Sequence, residues 1–126
     1  MLNDDGEILA YFSLTFKEVS LVHSDISKGK IKRLDGINKN AEKIKAYLIG
    51  QIGKNFSVES NKITLELILD EVYAIINEAK ALVGGRAVIL ECDKNPKLIE
   101  LYKKNGFDEL IHTPHEPLVT MYTYIA

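Results

Sequence analysis

Residues 7 to 16, EILAYFSLTF, combine apolar-polar alternation with β-branched and aromatic side chains, the pattern of a strand with one buried face. KEVSLV, residues 17 to 22, is expected to continue that strand or to pair with it through a bend near Phe16-Lys17. Residues 24 to 43 set Gly29, Gly36, Asn38 and Asn40 among many lysines, which is loop chemistry with room for one helical turn at GKIKRL. The next run, IKAYLIGQIG (residues 44 to 53), is largely apolar and predicts an interior strand. Gly50 and Gly53 interrupt it. A glycine inside a strand marks a bulge or the close approach of a backbone or ligand, or simply relieves a crowded neighbour.

The strongest pattern follows. In ITLELILDEVYAIINEAKALVGG, residues 63 to 85, Leu65, Leu69, Val72, Ile76 and Ala79 recur at helical spacing. Glu66, Asp70, Asn77 and Lys80 supply the polar side, Ser60 or Asn61 is placed to cap the start, and Gly84-Gly85 ends the helix. RAVILEC (residues 86 to 92) reads as a buried strand, and PKLIELYKKN (96 to 105) as a helix with Pro96 in its first turn and Gly106 beyond its end. FDELIHT and LVTMYTYI are expected to form a strand pair joined through PHEP. The predicted order is β-β-β-α-β-α-β-β, an α/β chain with a mixed sheet and one βαβ-like crossover.

Composition narrows the class. The chain has 126 residues, 46% hydrophobic and 27% charged, which suits one compact domain. Cys92 is the sole cysteine, which excludes an internal disulfide framework and a cysteine-clustered zinc site. His23, His112 and His115 show no metal or triad spacing. No apolar run approaches the ~18 residues of a membrane span, and no basic-then-apolar leader opens the sequence, so a cytoplasmic protein is expected. The net charge of -2 hides an asymmetry, since residues 17 to 45 hold eight of the sixteen lysines and arginines but only four acidic residues. SKGKIKRLDG could meet a phosphate-bearing partner or be a solvated loop.

Two places could carry chemistry. The passage from YLIGQIGKN through FSVESNK to the long helix brings a strand end to a helix N-terminus, where N–H groups and the helix dipole favour phosphate and Lys62 adds a charge. On the second helix Tyr102 shares a face with Leu98 and Leu101, so it is either a core aromatic or a phenol able to protonate a leaving group. Glu91, on the preceding strand, is either a general base or a buried structural carboxylate.

AYLIGQIGKN, the helix after it and ILECDKNPKLIELYKKNGF together resemble the core of a GNAT-type, acetyl-CoA-dependent N-acetyltransferase. The last segment is the most specific, because that superfamily often ends this helix with Tyr, two or three residues, then Gly-Phe. AYFSLTFKEVSL, the basic loop and YLIGQIGKN, in that order, also resemble the GNAT toxins that acetylate aminoacyl-tRNA. The resemblance covers roughly residues 7 to 125 and implies one GNAT-like domain over residues 1 to 126, without the usual N-terminal strand and two helices. It implies that acetyl-CoA is the cofactor, with Leu48, Ile49, Gly50, Gln51 and Ile52 pairing with the pantetheine arm and Gly50 near a bulge. Ser60, Asn61, Lys62, Ile63 and Thr64 would form the pyrophosphate loop, and Asn95 would approach from the next strand end. Tyr102 would protonate the departing thiolate, with Glu91 a candidate base and a small or macromolecular primary amine the acceptor. The implied missing walls favour self-association into a homodimer. ESNKIT departs from the family loop Gln/Arg-x-x-Gly-x-Gly/Ala, which motivates an alternative: a non-catalytic binding or regulatory module on the same scaffold. A tRNA-directed toxin is the further alternative, motivated by the basic loop.

Overall fold

The structure is a computed structural model; it describes residues 1 to 126 except 3, 22–25, 38, 55–60, 111–117 and 126. Eight elements follow in the order β1 (Ala10–Ser20), α1 (Lys28–Asp35), β2 (Lys43–Lys54), α2 (Leu65–Val83), β3 (Ala87–Asp93), α3 (Pro96–Lys104), β4 (Asp108–Leu110) and β5 (Leu118–Tyr124). The five strands form one sheet in the order β1-β2-β3-β5-β4. Only β2 and β3 run parallel, joined by α2 as their crossover; the other pairs are antiparallel.

The α/β class and mixed sheet are as expected, but the element order is β-α-β-α-β-α-β-β. Two differences produce this correction. EILAYFSLTF and KEVSLV do not make two strands. β1 pairs continuously with β2 from Ala10–Lys54 to Ser20–Lys43, and Phe16 at the expected bend stacks on Tyr47 at 4.6 Å between ring centres. Between them, the stretch expected as loop with room for one helical turn at GKIKRL forms a helix of eight residues. Ser27 caps α1 by accepting from the Lys30 N–H at 3.3 Å, and Gly36, with φ 95°, turns the chain out while its N–H reaches the Lys32 carbonyl at 2.7 Å. Ile31 and Leu34, three positions apart, supply the apolar contact that holds this short helix to the sheet.

The long helix begins where its cap allows. Thr64 accepts from the Leu67 N–H at 3.2 Å, so Thr64 is the cap and not Ser60 or Asn61. Asn61 instead ties the loop down: its amide donates to the Leu9 carbonyl at 2.8 Å and its Oδ1 accepts from the Ile63 N–H at 3.1 Å. Ser60 lies outside the described residues, as do PHEP and the end of FDELIHT. β4 and β5 pair as expected, from Asp108–Tyr122 to Leu110–Thr120.

Packing divides into two cores, one on each sheet face. Ile68, Leu69, Val72 and Ile76 of α2 meet Tyr47, Ile49, Val88 and Leu90 on one face. On the other, Leu34 of α1 meets Ile44, Ala46, Ala87 and Ile89. Val72 and Ile76 are fully enclosed, each a burial worth about 1.5–3 kcal/mol.

Gly85 cannot be replaced without strain. Its φ is +85°, and a Cβ there would lie 2.8 Å from the Phe16 ring. Gly29, in the first turn of α1, has nothing within 4 Å of that position. Gly85→Ala is therefore expected to destabilise by about 1–3 kcal/mol, and Gly29→Ala to stabilise by about 0.5 kcal/mol. Urea melts of both variants check the pair; equal effects would refute the assignment.

Candidate active site

The site starts from the strand pairing. β2 meets β3 only from Ala46–Ala87 to Ile49–Leu90. Beyond that point β2 stays with β1 as far as Lys54, while β3 stays with β5 as far as Asp93. The two strands separate, leaving Gly50, Gln51 and Ile52 with no strand partner on the side β3 has left. At the same point the β1–β2 register slips: Ser13 pairs with Gln51 and Leu14 with Ile49, so Gly50 is the extra residue of a bulge. A Cβ on Gly50 would lie 3.0 Å from the Ser13 Oγ, so the bulge has little room for a side chain.

The gap is a cleft of about 400 Å³. One wall carries Ile49, Gly50, Gln51 and Ile52; the other carries Leu90, Glu91, Cys92 and Asp93; Leu98 and Tyr102 of α3 lie at its base. Tyr102 is 5% exposed, and its ring meets Phe107 edge-on at 5.8 Å. Tyr102 lines the cleft, and its hydroxyl makes no hydrogen bond to another of the described residues. Burial pushes the Tyr102 phenol above its ordinary pKa, and Cys92 beside it adds to the shift. Burial likewise pushes the Cys92 thiol up, with Asp93 and then Glu109 adding to it.

The fold thus brings together Ile49, Gly50, Gln51, Ile52, Glu91 and Tyr102 from three elements. Glu91 is exposed, which corrects the expectation of a buried structural carboxylate. Leu48 is half-buried against the opposite core, the one under α1. Asn61, Lys62, Ile63 and Thr64 sit at the start of α2 rather than on the cleft walls; Ile63 packs into the core and Lys62 is exposed. Asn95 caps α3, its Oδ1 accepting from the Lys97 N–H at 3.0 Å, and it does not line the cleft.

Sequence reasoning missed Tyr11 and the cleft-lining position of Cys92. Tyr11 lies across from Gly53, where a Cβ would come within 2.6 Å of its ring. The glycine in an apolar strand was the available signal. Among the described residues no His, Cys, Asp and Glu group could hold a metal ion, and no helix is long and apolar enough to cross a membrane.

No family model matches the chain, and no curated protein does. Solved structures do. AtaT complexed with acetyl-methionyl-tRNAfMet aligns with a TM-score of 0.71 at 18% identity, over 97% of this chain and 65% of AtaT. A tyrosine-to-phenylalanine mutant of KacT aligns with a TM-score of 0.68 at 18% identity, over 92% of this chain and 62% of KacT. An acetyltransferase of the GNAT family from Listeria monocytogenes 4b F2365 aligns with a TM-score of 0.52 at 11% identity, over 98% and 62%. The chain has the GNAT acetyltransferase fold. It spans less than two thirds of each of these GNAT-fold neighbours. A mutant AtaT bound to the C-terminus of the antitoxin AtaR and acetyl-CoA aligns with a TM-score of 0.59 at 16% identity, over 92% and 58%.

The buried phenols make stability depend on alkaline pH. Burial raises Tyr47, Tyr73 and Tyr102 alike, with Asp70 adding to Tyr73. A raised folded pKa means the folded state holds the proton more tightly, so this stability is fully present below the ordinary tyrosine value of about 10 and is lost as pH rises through the folded values. Urea midpoints should therefore drop above about pH 10, and less steeply in Tyr102→Phe. An unchanged slope in that variant would contradict the burial of its phenol.

Proposed function

We propose that the chain is an acetyl-CoA-dependent N-acetyltransferase in which a primary amine attacks the thioester directly and Tyr102 is the general acid. The observation that carries this reading is a tyrosine, Tyr102, lining the cleft where β2 leaves β3. The residues present suit the cofactor. Gly50, Gln51 and Ile52 offer backbone N–H and C=O groups with the spacing of a strand edge, to which the amides of a pantetheine arm can pair. The bulge at Gly50 turns that edge toward the gap, and the N-terminus of α2 with exposed Lys62 suits the pyrophosphate. Asn61 and Thr64 then act by fixing that loop and helix end.

Acetyl-CoA brings an acyl group already activated as a thioester, so holding the amine and carbonyl in line supplies most of the rate. Tyr102, like any phenol, is protonated at neutral pH, and burial holds its proton more tightly still, so its role is to donate a proton to a leaving thiolate and not to act as a base. Glu91, exposed on the facing strand, is the proposed base that takes the proton of the incoming ammonium, directly or through water. An AtaT structure containing acetyl-CoA on the same fold supports the choice of cofactor.

A specific observation favours aminoacyl-tRNA as the acceptor. α1 presents Lys28, Lys30, Lys32 and Arg33, all exposed, and AtaT with the same fold was solved with acetyl-methionyl-tRNAfMet. Phosphate contacts by such a helix would make binding strongly salt-dependent.

Tyr102→Phe is expected to lower kcat about 100-fold while acetyl-CoA affinity, read by calorimetry, stays within about twofold. A fully active variant removes Tyr102 from the mechanism, and a folded chain that binds no acetyl-CoA moves the assignment to a non-catalytic module. For the acceptor, neutralising Lys30, Lys32 and Arg33 should weaken aminoacyl-tRNA binding and flatten its log–log salt slope by roughly two to three. Salt-insensitive binding would argue against tRNA.

A further inference from the structure

The exposed cations of α1 are not equivalent. Lys30, Arg33 and Leu34 share one side of the helix by their spacing, and that side closes on the β4–β5 pair. Lys28 and Lys32 fall on the other side. Between α1 and the strands lies a recess of about 70 Å³, lined by Lys30 and Arg33 from the helix and by Asp108 and Tyr124 from the strands, with buried Leu34 and Tyr122. At about 10–15 Å³ for each water, such a recess holds roughly five, which suits a phosphate group and is too small for a nucleobase. Two cations face one carboxylate there. The Lys30–Asp108 contact is 3.9 Å long with both side chains more than half exposed, a pair of little worth, so Lys30 can exchange it for a phosphate at small cost.

Tyr124 indicates what the phosphate would belong to. Its ring is 40% exposed at the end of β5, and the Arg86 guanidinium carbon lies over it at 6.0 Å. A ring held by a cation and still open to solvent is a stacking platform for a planar base. The recess and the platform adjoin, within the span of one ribose.

We propose that the recess between α1 and β5 is a nucleotide site, with the phosphate between Lys30 and Arg33 and the base stacked on Tyr124. The ligand is a nucleotide, either free or as one unit of single-stranded RNA. The inference deepens the reading of α1 as a phosphate-contacting helix and rests on it, but it does not depend on acetyl-CoA. Tyr124 pairs with Ala87, where β2 and β3 begin their parallel run, whereas the cleft opens beyond Leu90 at the other end of that run. The two sites are therefore separate. Asp108 opposes the phosphate and keeps the recess from holding small anions tightly, so the base contact decides which anions stay. Stacking accepts any base, and the site selects nucleotides without selecting sequence.

The test is an NMR titration of the full chain, following backbone amide shifts, with UMP, uridine and inorganic phosphate as probes. UMP is expected to shift the amides of Lys30, Arg33, Thr123 and Tyr124 and to bind at least about fivefold more tightly than phosphate. Tyr124→Ala should remove that advantage and leave phosphate binding unchanged, whereas Tyr124→Phe should retain it. Lys30→Gln with Arg33→Gln should weaken UMP and phosphate alike by about tenfold, and Asp108→Asn should tighten both. If a variant fails to fold, the wild-type shift map and the order of the three probes still decide. UMP binding no tighter than phosphate, shifts outside the recess, or displacement of UMP by acetyl-CoA overturns the proposal. A 5′-phosphorylated uridine tetranucleotide separates the two sources: tighter binding than UMP assigns RNA, and equal binding assigns the free nucleotide. Aminoacyl-tRNA binding that is salt-dependent but untouched by Tyr124→Ala would sink the nucleotide site and leave the tRNA reading standing. If neither UMP nor RNA engages the folded chain, both fail.

Discussion

β2 and β3 share only four parallel pairs because each is then committed to a different antiparallel partner, β1 for one and β5 for the other. Sheet twist makes strands diverge once their pairing stops, and the Gly50 bulge adds local twist to β2 at the point of parting. The result is a stretch of backbone edge inside a folded domain that faces a gap rather than another strand. Main-chain donors and acceptors in such a place require partners, and water or a ligand must provide them. The cleft is thus a consequence of pairing topology, and every candidate residue in it is placed by that topology.

Tyr102 depends on the constraint through a chain of local devices. β3 ends at Asp93; Asn95 caps the next helix, and Pro96 fixes its first turn, so the face that reaches back to the sheet six residues later is set in advance. Gly106, with φ 92°, reverses the chain, and the Phe107 N–H bonds the Tyr102 carbonyl at 3.1 Å. Phe107 then braces the phenol ring edge-on. The Tyr-x-x-x-Gly-Phe ending therefore works as a unit, in which the glycine lets the phenylalanine hold the tyrosine at the strand end.

Charge is distributed along the same architecture. α1 sets its lysines and Arg33 over the face where Ile44, Ala46 and Ala87 lie, at the start of the paired strands. The cleft is at the other end of those strands and carries Glu91 and Asp93 on its wall. A near-neutral chain thereby separates a basic helix from an acidic-walled slot.

The sequence by itself determined the α/β class, the long helix, the β3 strand and the Tyr102 helix, because each carries a complete local signal: apolar spacing, a cap or a stopping glycine. It also marked Gly50 as a bulge candidate and brought Tyr102, Glu91 and the Ile49–Ile52 stretch forward. It allowed only one helical turn where α1 forms, a helix that rests on Ile31 and Leu34 finding a sheet face, and it left open the continuity of β1, which rests on pairing with residues 23 to 44 positions away. Asn95 and Asn61 illustrate the limit from the other side. Their side chains suit a ligand as well as a cap or loop tie; the folded chain shows Asn95 bonded locally to Lys97 and Asn61 to Ile63, and only the bond from Asn61 to the Leu9 carbonyl is long-range. Tyr11 and Cys92 joined the cleft by the same route, since cross-strand neighbours share a wall without sharing a segment of sequence. Local signals decide what each segment becomes; which side chains face one another across a gap is decided by long-range pairing, and that exists only once the sheet has formed.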